Sequence, residues 1–518
     1  MPARARAGAN GRRSSLPGPA SSNPFGLLAD AALPGLAVAL DPVAMAARFA
    51  AGFEERARGA APRVRACVVE EVYYRPGRHC GVLYRLSLDA PAERDREEWL
   101  YARLLPGELL RERHQRAHDA VLAAGATALV RTALDPVSLW EDPGMILWVF
   151  PNDPRLPGVR QLADRARVGR RYALEGARLG APGAGGGTRG VARWHADFER
   201  VKYMPCKRCV LRYRVTPERA EGPASVIYAK AYPDGAGAEP FRLQRHAWAA
   251  LRAARSPVEI PEPLVHLAEE SVLWFEDWGG RGLIGVARER GWEEMAERAA
   301  GAIAAFHLAR IPGLGPGPEP ASMLEEVLEN GGKYASRVPS QRRLMGALLA
   351  RLVSRRPATP GDAPRVSLHG AFRAEHVLVR GSRTALLDLD GMSEGDPLID
   401  AAEFVASLEF LSLSGAQPAL DPVRVSRRFL ECYGAAVPWP LEGARLGWYA
   451  LASLVSKMHG SVKRLARPTL ERLERDGAAL AERWSALGDW THARRAKAGR
   501  PRRPRHAAAR ARREGAAR

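Results

Sequence analysis

Leu368-His369-Gly370-Ala371-Phe372-Arg373-Ala374-Glu375-His376-Val377-Leu378-Val379, then Asp388-Leu389-Asp390-Gly391, then Gly395-Asp396-Pro397-Leu398-Ile399-Asp400 set a His-Gly turn and four aspartates around two short apolar runs. The runs, Val377-Leu378-Val379 and Ala385-Leu386-Leu387, bracket Gly381-Ser382 and predict a β-hairpin.

Helical periodicity surrounds this hairpin. It predicts helices over Glu293 to Leu308, Ser322 to Lys333, Gln341 to Ser354, Ala401 to Leu413, Val423 to Tyr433, Gly447 to Leu465 and Leu470 to Leu487. Upstream the pattern is strand-rich and internally repeated. Tyr73-Tyr-Arg-Pro-Gly-Arg-His-Cys80 matches Lys202-Tyr-Met-Pro-Cys-Lys-Arg-Cys209 at an offset of 129 residues. Leu100-Tyr-Ala-Arg103 corresponds to Ile227-Tyr-Ala-Lys230, and Met145-Ile-Leu-Trp148 to Ser271-Val-Leu-Trp274. Each copy reads as a turn, two strands, a helix and a further strand, so the chain holds two copies of one small α+β unit. Leu174 to Gly190 between them, with its Gly-Ala-Pro-Gly-Ala-Gly-Gly-Gly run, predicts a linker.

At 518 residues the chain exceeds what one core usually serves. The expected division is a leader (1–22), a cap resembling a duplicated small lobe (23–173), a linker (174–195), a small strand-rich lobe (196–280), a helical lobe (281–490) and a basic tail (491–518). The net charge of +20 is uneven: from Arg494 to Arg518 there are 11 Lys and Arg against the single acid Glu514. Such a flexible polycation without aromatic residues for base stacking supports only weak, salt-sensitive contact with nucleic acid, or serves as a solubilising end. No stretch reaches the roughly 18 apolar residues of a membrane span. The leader has no apolar core of a secretory signal, and five cysteines in so long a chain suggest no disulfide framework, so the expected place is the cytoplasm. Cys206-Lys-Arg-Cys209 has CxxC spacing without a second ligand pair, which argues against zinc.

A strand-rich lobe followed by a helical lobe with an early hairpin is the plan of protein kinase-like folds. The motifs resemble those of the aminoglycoside/choline phosphotransferase family: His-Gly-Asp-x-x-x-x-Asn/Gln, a hairpin, Asp-Phe-Asp/Glu, then Gly-Asp-Pro-x-x-Asp. The resemblance runs from about Ala196 to Asp489. It implies an α+β, bilobal protein kinase-like fold and ATP-dependent transfer of phosphate to a hydroxyl of a small molecule, with Mg²⁺. By that resemblance Lys230 contacts the α/β-phosphates, and Trp274 and Glu276 lie on the adenine-side hinge. Asp388 holds the metal with Asp390 assisting, Asp400 braces the catalytic loop, and His369 is a catalytic residue of that loop.

The pattern breaks at two places. Ala371 stands where the family has the catalytic aspartate, and His376 where it has Asn or Gln. A methyl group cannot accept the acceptor's proton, a service typically contributing about 10²- to 10⁴-fold. Glu375 is the nearest substitute base, and Gln244-Arg245-His246 stands where a lysine-orienting glutamate is expected, with Glu239 somewhat early. The chain therefore fits two functions: a phosphotransferase with a degenerate catalytic loop, or an inactive, pseudokinase-like nucleotide-binding or scaffolding protein.

Overall fold

The computed structural model describes residues 23–56, 61–90, 93–123, 134–176, 193–218, 224–358 and 364–487. The leader and the basic tail expected at 1–22 and 491–518 lie outside the described residues, as does most of the Gly-rich run.

Five strands open the fold: β1 (Arg63–Arg75), β2 (His79–Ala90), β3 (Glu93–Leu104), β4 (Val137–Trp140) and β5 (Met145–Val149), in the order β1-β2-β3-β5-β4. β6 (Trp194–Met204), β7 (Arg208–Pro217), β8 (Ser225–Ala231), the two-residue β9 (Val258–Glu259), β10 (Pro263–Leu267) and β11 (Val272–Glu276) follow. Without β9 they form a second sheet in the order β6-β7-β8-β11-β10, the same topology as the first. The registers are equivalent too. Tyr74 pairs with Cys80 as Tyr203 pairs with Cys209. Arg103 lies between Gly81 and Ile146 as Lys230 lies between Val210 and Leu273.

Side chains alternate across a strand, so each sheet has two distinct faces. The first sheet turns Leu83, Tyr101, Ile146 and Trp148 onto Leu211, Tyr213, Ala229 and Trp274 of the second, in one shared core. Leu83 and Tyr101 lie on the face that bears Arg103, the counterpart of Lys230. The copies therefore stack in the same sense: the face that in the second sheet bears Lys230 is, in the first, spent on packing. The first sheet's other face takes Met45, Phe49 and Phe53 from the helix Pro42–Arg56, with the Tyr84 hydroxyl donating to the Ala39 carbonyl at 2.6 Å.

The helix Arg165–Gly176 runs past the expected start of the linker, and β6 begins at Trp194, two residues before the expected lobe boundary. The reason is packing: Tyr172 near the helix end meets the Trp194 ring at 5.1 Å and fixes both flanks of the Gly-rich run.

The helical lobe comprises Leu283–Arg290, Trp292–Leu308, Pro320–Arg337, Arg342–Ser354, Leu398–Leu413, Pro422–Ala436, Gly443–Lys463 and Arg467–Ser485. Within it β12 (Arg281–Gly282), β13 (Val366–Leu368), β14 (Val377–Arg380), β15 (Arg383–Leu386) and β16 (Ser393–Gly395) frame the hairpin, with Gly381 at φ 59° in its turn. The architecture is α+β and bilobal, a protein kinase-like plan carrying an extra sheet on the back of its small lobe.

Trp148 is buried in that shared core and stacks on Tyr101, its cross-strand neighbour in the first sheet, at 5.5 Å. Trp148→Ala is expected to cost about 3–5 kcal/mol in denaturant unfolding. It should shift one common transition, whereas a separate early transition confined to the first sheet would contradict the shared core.

Candidate active site

Lys230 points from β8 toward the turn after β15. Its Nζ donates to Asp388 Oδ1 at 2.9 Å and to Asp390 Oδ2 at 2.5 Å. Arg208, at the start of β7, reaches the same carboxylate, with Nη1 at 2.8 and 2.7 Å from the two Asp388 oxygens. His376 Nε2 lies 3.5 Å from Asp388 Oδ2. Asp390 accepts further bonds from the Tyr232 hydroxyl at 2.9 Å and the Gln244 amide at 3.3 Å. Strand, helix and hairpin thus converge on two carboxylates. Asp388 sits in the left-handed region, φ 61° and ψ 53°, which turns its side chain back toward the small lobe.

Burial alone would raise the Asp388 pKa, but Lys230 and Arg208 beside it hold the carboxyl well below the usual range. Burial, reinforced by neighbouring His369, lowers His376 to about 4 against the pull of Asp388. His376 is neutral at pH 7, and its Nδ1 donates to the Ala371 carbonyl at 2.9 Å. Its Nε2 lone pair then faces Asp388.

The loop from His369 is bolted from below. Asp400 accepts the backbone N–H of His369 at 2.6 Å and of Gly370 at 3.0 Å, and it meets His307 Nε2 at 3.1 Å. Gly370, at φ 77°, lies so close to the Asp388–Gly391 turn that a Cβ there would stand 2.1 Å from the Gly391 carbonyl oxygen. Only glycine fits.

The other expected site residues stand outside this cluster. Trp274, expected at the hinge, is 0% exposed and faces the cap, 6.4 Å from the Tyr172 ring, because alternation along β11 puts it opposite Ala229 rather than Lys230. Glu276, at the end of β11, donates its N–H to the Glu262 carbonyl at 3.0 Å and lies near Glu259 and Arg380. His369 is fully buried with Nε2 on the Leu387 carbonyl at 2.9 Å, so it holds the loop to the hairpin and has no surface on which to meet a substrate. Glu375 is exposed in a short turn beside His376. Glu239 pairs with Arg242 on the surface, away from Lys230.

Four participants have weak sequence signals. Arg208 donates to Asp388, and Tyr232 and Gln244 donate to Asp390, which itself stands beside Lys230 where a helix glutamate is expected. The fourth is Asp153, from the cap. It accepts the Cys206 backbone N–H and the Tyr203 hydroxyl, both at 2.8 Å, and so grips the β6–β7 turn from behind. Across the loop Arg373 pairs with Glu403 at 2.8 Å, and Lys457 with the same carboxylate at 2.7 Å.

Residues 211–422 match the model of the Phosphotransferase enzyme family. Among solved structures, aminoglycoside phosphotransferase APH(3'')-Id of Streptomyces rimosus is 21% identical over 50% of this chain and 92% of its own, with a TM-score of 0.34. The choline/ethanolamine kinase family protein of Mesorhizobium loti is 16% identical over 62% and 94%, with a TM-score of 0.35. Choline kinase LicA of Streptococcus pneumoniae is 15% identical over 56% and 92%, with a TM-score of 0.34. No curated protein sequence matches this one.

His376 has an unfolded pKa of about 6.5 and a folded one of about 4. The unfolded chain therefore takes up the proton first, and stability present above about pH 6.5 is lost as pH falls toward 4. His79 and His459, lowered chiefly by burial to about 4, add to the same slope. Melting temperature should fall across this window, less steeply in His376→Asn; an unchanged slope in that variant would contradict the assignment.

Proposed function

We propose, from the premise that residues 211–422 carry the phosphotransferase-family pattern, that this protein transfers a phosphoryl group from ATP to a hydroxyl of a small molecule. The observation that supports this most directly is the convergence of Lys230 and Arg208 on Asp388, with Asp390 alongside. Phosphoryl transfer depends mainly on positioning and on charge neutralisation, with little covalent work for the protein. Lys230 meets the α/β-phosphates as a point charge, and Arg208, with its planar donor fork, meets a neighbouring phosphate group.

A divalent cation fits the same place. The two carboxylates already converge on one positive charge, the Lys230 ammonium, and carboxylate oxygens are the donors Mg²⁺ prefers. Asp388 would hold it with Asp390 assisting, and the metal would neutralise charge on the phosphates. Asp400 keeps the loop placed through the His369 and Gly370 amides, and Glu375 is the exposed carboxylate nearest to Ala371 in that loop.

Ala371 supports a second reading, a nucleotide-binding protein without turnover: no side-chain base follows the His-Gly turn, and Asp153 already takes an amide of the phosphate-facing turn. In both readings residues 23–173 form a cap, 196–280 the small lobe and 281–490 the helical lobe. No helix among the described residues is long and apolar enough to cross a membrane. We place the protein in the cytoplasm on its free cysteines. The basic tail is proposed only as a weak nucleic-acid contact.

Calorimetric titration of ATP with Mg²⁺ should show binding in the wild type that Lys230→Ala and Asp388→Ala abolish. Absence of binding at millimolar nucleotide would sink both readings. Restoring a carboxylate with Ala371→Asp should raise ADP formation in the presence of an acceptor by about 10²- to 10⁴-fold. A variant that binds ATP and gains nothing would favour the second reading.

A further inference from the structure

Beside the cleft, four elements bring positive charge to one seam. The β1–β2 turn contributes Arg75, exposed at its start. The β6–β7 turn contributes Lys207, whose Nζ lies 4.3 Å from the centre of the Tyr73 ring and is thereby held against the cap. The helix Pro320–Arg337 ends in Arg337, and the helix Gly443–Lys463, which packs on β1, brings His459 and Lys463. Two polar atoms here are buried without a hydrogen-bond partner: Arg337 Nη1 and His459 Nδ1. Burial of an unpartnered guanidinium N–H such as Arg337 Nη1 is costly unless something accepts from it.

We propose that this seam binds the phosphate group of a small, hydroxyl-bearing phosphate ester, with Arg337, Lys463, Lys207 and Arg75 as its cationic partners and His459 beneath. The acceptor would then be an anion. That last step rests on the phosphotransfer reading; the binding of the anion does not.

The electrostatics agree. Burial lowers Lys463, and Arg75 and Arg337 lower it further. Burial lowers Lys207, and Lys463 adds to it. Burial lowers Arg337, with Tyr74 opposing and Arg75 reinforcing. These cations repel one another across the seam, and the nearby acids are committed in part. Glu329 is ion-paired with Lys333, Asp30 takes the Tyr74 hydroxyl and the Gly77 N–H, and Glu71 lies beside Lys207. A phosphate dianion relieves this repulsion and supplies acceptors for guanidinium and ammonium donors. Lys207 and Arg208 are consecutive in the β6–β7 turn, so the seam and the Asp388 cluster share that turn.

Inorganic phosphate and glycerol phosphate would each be titrated into the full-length wild type, Arg337→Gln, Lys463→Gln and Lys230→Ala. Both ligands should bind the wild type, weaken by about tenfold or more in the two seam variants, and bind Lys230→Ala as before. Melting temperature without ligand should hold or rise in Lys463→Gln, because a repulsive charge is removed, while its phosphate-induced rise is lost. No binding in the wild type at millimolar phosphate would overturn the proposal. So would binding that Lys230→Ala abolishes and the seam variants leave intact, which puts the anion in the nucleotide cleft. If free phosphate binds and the ester does not, the acceptor assignment fails. ATP binding in Lys463→Gln reports separately on the cleft.

Discussion

Asp388 is a carboxylate largely withdrawn from water, and it stays ionised only because Lys230 and Arg208 stand against it. Burying one charge of such a set without the others leaves an uncompensated ion, at a cost of about 3–5 kcal/mol. The strand that carries Lys230, the turn that carries Arg208 and the hairpin that carries Asp388 must therefore arrive together. Asp390 extends the set by joining Tyr232 and Gln244 to the same ammonium. Buried ion sets of this kind seldom add much net stability, yet they are selective about geometry. Here that selectivity draws the two lobes to one place.

The cap acts on this cluster from behind. Its sheet duplicates the small lobe in strand order and register, but the face that would carry a second cleft is turned onto the back of the second copy. Arg103 occupies the counterpart of the Lys230 position inside that interface. The contribution that reaches the site is Asp153, which is 3% exposed and raised by burial against its several hydrogen bonds. By accepting from Cys206 it fixes the turn that sets Lys207 and Arg208 on opposite sides, one toward the seam and one toward the cleft.

Much of this was legible in the sequence. Tyr-x-Pro-x-x-x-Cys repeated at a fixed offset marks a duplicated strand pair because strands leave a period that survives divergence, and the Asp388 and Asp390 spacing marks a loop because acids cluster where a strand ends. The boundaries slipped where tertiary packing decides: Tyr172 against Trp194 carries regular structure into a stretch whose composition reads as linker. Trp274 could not be placed from sequence. A strand residue's face depends on register, and Trp274 falls on the cap side because β11 pairs as it does with β8. Arg208 and Asp153 were hidden for the converse reason, since long-range ion pairs and side chain-to-backbone bonds leave no local pattern.

The most direct test of the account is the structure of the protein with Mg²⁺ and a non-hydrolysable ATP analogue. The account predicts that Lys230 and Arg208 leave Asp388 for the phosphates while Asp388 and Asp390 turn to the cation, with the cap still gripping Cys206 through Asp153. An analogue bound elsewhere, with the cluster around Asp388 unchanged, would show that these charges hold the lobes together and do no more.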